Sequence, residues 1–124
     1  MKNDDLKVRT KLFAHRCVKL ALSLPNDELG NHIKKQLIRC STSTAANYRA
    51  ACLAHSKAAF TSKISIVIEE VDESDFWMEF LTDENLKPKN LVEKLMNEAQ
   101  ELTSIFVSSR KTLQTGNDPK KIHQ

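Results

Sequence analysis

Glycine and proline are scarce in this chain, which contains 2 glycines and 3 prolines among 124 residues. Few turns can therefore interrupt it, and the segments between turns must be long. The alternation of apolar and polar residues that is typical of β-strands is also absent from the sequence. These absences predict an all-α protein built from a few long helices.

The sequence also lacks the patterns of membrane and secreted proteins. No stretch approaches the roughly 18 consecutive apolar residues that a membrane-spanning helix needs, and residues 1–13 contain no apolar signal core. The three cysteines, Cys17, Cys40 and Cys52, have no paired spacing, which favours buried reduced thiols. We expect a cytoplasmic protein without a membrane partner.

Patterns that carry catalysis or bind metals are missing as well. The run of small residues from Ser41 to Ala46 has no glycine elbow and no His-Asp partner pattern, so a serine nucleophile is not expected. The carboxylates between Glu69 and Asp75 are not accompanied by the Glu-x-x-His pattern of a di-iron bundle. We expect no catalytic residues, no metal, no cofactor and no small-molecule substrate.

Apolar residues recur at helical spacing in four segments of the chain. The predicted helices cover about residues 4–23, 26–53, 57–82 and 88–113. Because the connections are short, consecutive helices should be antiparallel neighbours, and the sequence predicts an up-down-up-down four-helix bundle. Residues 1–114 then form a single domain, while residues 115–124 lack periodicity and are predicted to be a disordered tail.

Capping and core residues can be predicted within these helices. Asn26 and Ser56 are the expected N-caps of the second and third helices, and Gly30 should weaken the first turns of the second helix. The predicted core residues share apolar faces of their helices. They are Leu6, Phe13, Cys17, Leu20 and Leu24; Ile33, Leu37, Cys40, Thr44, Tyr48 and Ala51; Phe60, Ile64, Ile66, Val67, Val71, Trp77, Met78 and Leu81; and Leu91, Leu95, Leu102, Phe106 and Leu113.

Charge is distributed unevenly, although the net charge is only +3. The net charges of residues 1–24, 25–55, 56–86 and 87–124 are +4, +2, −6 and +3. Complementary charge between helices is the simpler interpretation. The alternative is a basic outer face, on which oligomerisation would multiply the contacts to phosphate groups. The residues of that candidate nucleic-acid surface are Lys7, Arg9, Lys11, Arg16, Lys19, Lys34 and Lys35.

The second and third helices carry a candidate packing interface. Serine and threonine have mediocre helix propensity, so the small run that begins at Ser41 predicts close approach of another helix. Arg39 is positioned to pair with Glu73, because an Arg fork can hold a carboxylate through two bonds. We expect Arg39→Ala to damage assembly more than any activity. The predicted interface residues are Arg39, Ser43, Asn47, Glu69, Glu73 and Trp77.

Phe76, Trp77 and Phe80 form the aromatic cluster of the sequence. They lie beside apolar residues on a strongly apolar helix, which favours packing in the core or in a subunit interface. Stacking on nucleic-acid bases is the alternative.

Two ordered motifs resemble those of a known family. The first combines Gln36–Ser43 with Ala46–Ala50, and the second combines Phe60–Ile66 with the Glu69–Trp77 segment. Together they resemble the small bacterial four helix bundle proteins, also called 23S ribosomal RNA intervening-sequence proteins. The accessory proteins of diversity-generating retroelements are similar to them. The resemblance covers most of residues 10–110.

The resemblance implies a four-helix bundle that assembles into a homopentameric barrel. It also implies a protein encoded in an intervening sequence of a large ribosomal RNA gene, or standing alone in a bacterial genome. The retroelement accessory proteins resemble basic scaffolds that bind nucleic acid and a reverse transcriptase, but the acidic third segment of this chain departs from their most basic members. Catalysis is not known in the family.

We therefore expect a non-enzymatic oligomeric scaffold or adaptor that binds itself, and RNA, DNA or a nucleoprotein through basic helix surfaces. The alternative is a purely protein-binding homo-oligomer in which acidic and basic faces serve self-association alone. A salt titration of RNA binding separates the two, since phosphate contacts weaken steeply with salt.

Overall fold

The structure, a computed structural model, describes residues 3–114, with side chains from Asp5 onward, and this part of the chain contains four α-helices and no strand. Helix α1 spans Asn3–Leu22, α2 spans Glu28–Cys52, α3 spans Lys57–Asp83 and α4 spans Lys89–Gln114. The all-α prediction with four long helices is confirmed for these residues. The predicted disordered tail, residues 115–124, lies outside the described part.

The N-caps of α2 and α3 are side chains that accept hydrogen bonds from backbone N–H groups of the first turn. Asp27 caps α2 from an extended backbone, and its Oδ1 accepts a bond from Gly30 N at 2.7 Å. The prediction of Asn26 as N-cap is therefore wrong, because its Oδ1 accepts instead from Lys34 Nζ at 2.8 Å. Ser56 is confirmed as the cap of α3, with Oγ accepting from Ala59 N at 3.0 Å.

Gly30 lies in the first turn of α2, and this helix is continuous from Glu28 to Cys52. A Cβ atom at this position would lie 2.0 Å from the carbonyl oxygen of Pro25, which belongs to the corner between α1 and α2. The glycine is thus required by the close approach of the corner to the helix. The close approach therefore accounts for a glycine at this position despite its low helix propensity.

The core contains most of the residues that helical spacing predicted. All six predicted residues of α2 are buried, as are four of the five predicted for α1, Leu20 being half-buried. In α4 the prediction for Leu91 is wrong, since its side chain is 69% exposed. The buried face of that helix begins instead at Val92 and continues through Leu95, Met96 and Ala99 at spacings of three, one and three.

Helix α2 packs against both α1 and α3, α3 packs against α4, and α1 and α4 contact each other more lightly. The ring of His32 lies edge-on to Trp77, with centroids 5.4 Å apart. Further along α2, the Oγ of Ser74 donates to the Sγ of Cys40 at 3.2 Å. Within residues 3–114, no helix combines the length and apolarity that crossing a membrane requires.

Candidate interaction surfaces

An open groove of about 650 Å³ runs between α1 and α2 on the outside of the chain. Short and apolar side chains line it, and basic side chains are interspersed among them. The lining includes Val8, Lys11 and Ala14 from α1 and Thr42, Ala46 and Arg49 from α2. We refer to these six residues as the α1–α2 groove.

The groove exists because the small-residue run of α2 has two sides. Ser41 and Thr44 are fully buried within the chain, whereas Thr42 and Ala46 are exposed in the groove. The Oγ1 of Thr44 donates to Cys40 O at 2.8 Å, and hydroxyls on the groove side bond similarly within the helix. Close helix packing therefore accounts for Ser41 and Thr44, whereas the side of the run with Thr42 and Ala46 remains open.

The outer face of α1 borders this groove and is both apolar and basic. Val8, Leu12 and Leu22 have exposed fractions of 57–64%. Lys11 and Lys19 are exposed between them. Isolated exposed apolar residues are ordinary, but these three share one side of α1, next to the groove.

Helix α3 has an outer face of opposite charge. Glu69, Asp72 and Glu79 are exposed there, together with the rings of Phe76 and Phe80. The ring centroids of the two phenylalanines are 5.9 Å apart. We refer to these five residues as the α3 outer face. The prediction that the aromatic cluster packs in the core is wrong for the two phenylalanines, and the subunit-interface interpretation stays a prediction.

Arg39 joins α2 to α3 through two carboxylates. Its Nη1 donates to Glu70 Oε2 at 3.1 Å, and its Nη2 donates to Glu73 Oε2. The predicted pairing of Arg39 with Glu73 is thus observed. Glu69 is instead exposed, and Glu70, one position later, supplies the second carboxylate that Arg39 binds.

The carboxylate of Glu73 is held in its ionised form by these partners. Trp77 Nε1 also donates to Glu73 Oε2, at 3.0 Å. Partial burial raises the pKa of Glu73, but the hydrogen bonds from Trp77 and Arg39 outweigh it and leave the pKa below its ordinary value. A charged carboxylate at neutral pH is therefore part of the α2–α3 packing.

The other predicted interface residues on α2, Ser43 and Asn47, bond to each other. The Nδ2 of Asn47 donates to Ser43 Oγ at 2.9 Å and to Ser43 O at 3.0 Å. Both side chains are half-buried, and these bonds remain within the helix. Their predicted role in the packing of α2 against another helix stays a prediction.

Arg9, one of the predicted phosphate-binding residues, is bound to α4. Its Nε donates to Glu98 Oε2 at 2.9 Å, and its Nη2 donates to Glu98 Oε1 at 2.7 Å and lies 2.9 Å from Glu101 Oε1. The hydrogen bonds to Glu98 raise the pKa of Arg9, and the same bonds lower the pKa of Glu98. This guanidinium links two helices of the chain.

The remaining predicted basic residues lie in different surroundings. Lys34 donates to Asn26, as described above, and Lys7 lies half-buried along the groove. Arg49 was missed by the sequence analysis, although its spacing of seven from Thr42 and three from Ala46 places it on the same helix face. The residues that are exposed on the outside are Lys11, Arg16, Lys19 and Lys35.

Neither the thiols nor the carboxylates form a reactive cluster in the described part of the chain. Residues 5–114 contain no group of three His, Cys, Asp or Glu side chains that could hold a metal ion. Burial raises the pKa of Cys40 to about 11 and also raises the pKa of Cys17. Both thiols are therefore protonated at neutral pH and are poor nucleophiles.

Comparison with known proteins places the chain in a family. Residues 4–108 match the model of the 23S rRNA-intervening sequence proteins. The crystal structure of a protein of unknown function from the S23 ribosomal protein family of Bacteroides thetaiotaomicron is 32% identical, with a TM-score of 0.82, and the match covers 90% of this chain and 100% of that one. None of the curated proteins matches the chain. Because the family model spans most of the sequence, the protein belongs to the 23S rRNA-intervening sequence protein family.

Proposed function

We propose that this protein is a non-enzymatic scaffold that assembles from copies of itself. The observation that carries the proposal is the exposure of large apolar side chains on two outward helix faces. Val8, Leu12 and Leu22 lie on α1, and Phe76 and Phe80 lie on α3. Contiguous apolar surfaces on a small protein are typical of interfaces with other proteins.

The proposed protomer is an antiparallel up-down-up-down bundle. The order of contacts between α2 and α3 supports this arrangement. The contacts between α3 and α4 support it for that pair of helices as well. Arg110 Nη1 lies 3.5 Å from Ser65 Oγ, and Gln100 Nε2 lies 3.4 Å from Asp75 Oδ2. Residue numbers thus rise along α4 as they fall along α3. The proposal of five copies rests on the family resemblance of the two sequence motifs.

A non-enzymatic role is supported by the structural use of three titratable groups with displaced pKa values, Arg9, Glu73 and Glu98. Among the described residues, Arg9 and Glu98 have displaced pKa values because they bond to each other between helices. Glu73 has a displaced pKa because it bonds to Arg39 and Trp77. Such ion pairs between helices are structural, whereas a catalytic site needs perturbed groups that converge on a pocket.

Light scattering behind a size-exclusion column, together with native mass spectrometry, tests the scaffold. We expect a mass several times that of the 14.1 kDa chain, and five copies would give about 70 kDa. The measurement should be repeated over a wide range of protein concentrations, since oligomers dissociate on dilution. A 14.1 kDa species at every concentration would contradict the proposal.

Nucleic-acid binding is the second candidate function. Lys11, Arg16 and Lys19 are exposed on α1, and Lys35 is exposed on α2. An oligomer would repeat these cations in every copy, and phosphate affinity rises steeply with the number of contacts. The family description, 23S rRNA-intervening sequence protein, makes RNA the first nucleic acid to test. The purely protein-binding assembly remains the alternative.

Fluorescence anisotropy with a labelled RNA separates these alternatives. If phosphates are bound, log affinity should fall linearly with log salt concentration. The variant Lys19→Gln/Lys35→Gln, at exposed sites outside the groove, should weaken binding at every RNA sequence and make the salt dependence shallower. Lack of binding at roughly 50 mM salt would contradict nucleic-acid binding and favour the purely protein-binding assembly. Free thiols at Cys17, Cys40 and Cys52 support a cytoplasmic location of the protein under either alternative.

A further inference from the structure

We propose that the α3 outer face of one copy docks into the α1–α2 groove of the next copy. The proposal rests on the self-association proposed above and specifies the two surfaces that meet. The contact is heterologous, because different surfaces of the same chain meet each other. Both surfaces are exposed in the single chain, so a contact between them requires a second copy.

Charge is the first property in which the two surfaces are complementary. The α3 outer face presents the carboxylates of Glu69, Asp72 and Glu79. The α1–α2 groove presents Lys11 and Arg49, and both are exposed. Opposite charges across an interface steer the encounter and fix the register of the two partners.

The distribution of apolar groups and free space is the second complementary property. Phe76 and Phe80 stand out from α3, and their rings are 51% and 37% exposed. The groove has small side chains, such as Ala14 and Ala46, where longer ones would fill it, and Val8 lies at its edge. Aromatic side chains that enter a space lined by small residues are typical anchors of protein interfaces.

The lengths of the two surfaces also agree. The α3 outer face extends from Glu69 to Phe80, which corresponds to about 17 Å of helix. The side chains of α1 that line the groove extend from Lys7 to Val18, also about 17 Å. One helix face can therefore lie along the groove over its full length.

Neither surface is suited to pair with the same surface of a second copy across a two-fold axis. Two α3 outer faces would bring the carboxylates of Glu69, Asp72 and Glu79 together, and two grooves would bring Lys11 and Arg49 together. Like charges in contact disfavour such pairing. A heterologous contact avoids this repulsion, and it closes into a ring when the rotation between neighbours divides a full turn.

Charge reversal on each surface tests the contact. One variant carries Lys11→Glu/Arg49→Glu in the groove, and a second carries Asp72→Lys/Glu79→Lys on α3. Each alone should weaken self-association at least about tenfold, because like charges then face each other. Combining all four substitutions in one chain should restore the wild-type oligomer mass, since the charges are again opposite.

A matched control is Glu93→Lys/Lys94→Glu, which reverses two exposed charges on α4. Its oligomer should have the wild-type mass, and circular dichroism should show that all variants are helical. A zero-length carbodiimide cross-link between unlabelled and ¹⁵N-labelled wild-type copies gives a second measurement. We expect cross-links between copies that join Lys11 to Asp72 or Glu79.

The possible results separate the two proposals. A wild-type oligomer with neither these cross-links nor a mass change in the two reversal variants would overturn the docking mode and leave the scaffold intact. A folded combined variant that stays dissociated would also overturn the docking mode. A wild-type protein that is monomeric at every concentration would overturn the scaffold itself.

Discussion

Arg9 and Glu98 are 89 residues apart in the sequence and are joined by two hydrogen bonds between α1 and α4. These two helices otherwise contact each other lightly. The side chains of the pair are mostly shielded, with 22% and 18% exposure. The pair therefore links the first helix directly to the last.

Arg9→Ala should destabilise the fold by about 1–2 kcal/mol, because it leaves a partly buried carboxylate without its charged partner. Urea unfolding followed by circular dichroism measures the change. Lys19→Ala, an exposed site on the same helix, is the matched control and should stay within about 0.5 kcal/mol of the wild type. Equal stabilities of the two variants would contradict a structural role for Arg9.

The pH dependence of Trp77 should report the ionisation of Glu73. The chain has 1 tryptophan, so its fluorescence is unambiguous. The folded-state pKa of Glu73 lies below its ordinary value. Its carboxylate therefore stabilises the fold above the unfolded-state pKa, and this contribution is lost as pH falls through the folded-state pKa. We expect a fluorescence change whose midpoint is more acidic than that of an ordinary glutamate.

Two variants identify the group responsible. Glu73→Gln should abolish the fluorescence change, and Arg39→Ala should move its midpoint to higher pH by removing a bond to the ionised form. Persistence of the transition in Glu73→Gln would assign it to another carboxylate. Light scattering on Arg39→Ala also tests the expectation that this variant damages assembly.

Gly30→Ala should destabilise the protein by about 1–3 kcal/mol, although alanine is the better helix former. The added methyl group would overlap the carbonyl oxygen of Pro25, and backbone at a helix corner cannot move aside cheaply. Thermal or urea unfolding measures the loss. Asn31→Ala, at the next and exposed position, should change stability by less than about 0.5 kcal/mol. A stabilised Gly30→Ala protein would disprove the close approach.

Asp27→Ala should cost about 1 kcal/mol, because it removes the acceptor for the Gly30 N–H at the start of α2. The neighbouring variant Asn26→Ala loses only an exposed bond to Lys34 and should stay within about 0.5 kcal/mol of the wild type. Urea unfolding of the two variants side by side makes the comparison. The reverse order of stabilities would return the N-cap to Asn26.

Alkylation should distinguish the three thiols. A thiol with a pKa of about 11, as at Cys40, is only about one thousandth thiolate at pH 8. Cys17 is also buried, whereas Cys52 is half-buried at the end of α2. Iodoacetamide followed by mass spectrometry should therefore find Cys52 modified first, and the other two only after unfolding. Rapid native modification of Cys40 would contradict its burial.

Local patterns predicted the helices because the spacing of apolar residues and the capping residues both lie within the helix they describe. The spacing of Ile33, Leu37 and Cys40 identifies a buried face, and Ser56 identifies a helix start, without any knowledge of the neighbours. The pairing of Arg39 with Glu73 could be predicted because a short connection restricts how α2 and α3 face each other. These features depend on contacts within one helix or between consecutive helices.

Features that depend on register or on distant segments were not predictable in the same way. The burial of Val92 in place of Leu91 depends on a rotation of α4 that periodicity alone leaves open. The bond between Arg9 and Glu98 joins the first and last helices, and no local spacing identifies such a pair. The groove depends on two neighbouring helices at once, which is why the role of Arg49 was missed.

The hydroxyls of Ser41, Thr42 and Thr44 all donate to carbonyl oxygens of their own helix. A helix that lies against them therefore needs no polar group in return. Apart from Cys17, whose thiol hydrogen-bonds with Ser41, the positions of α1 that face this run should accept apolar residues of similar volume without compensating changes in α2. Variation among relatives should thus conserve side-chain size on this side of α1 more strictly than residue identity.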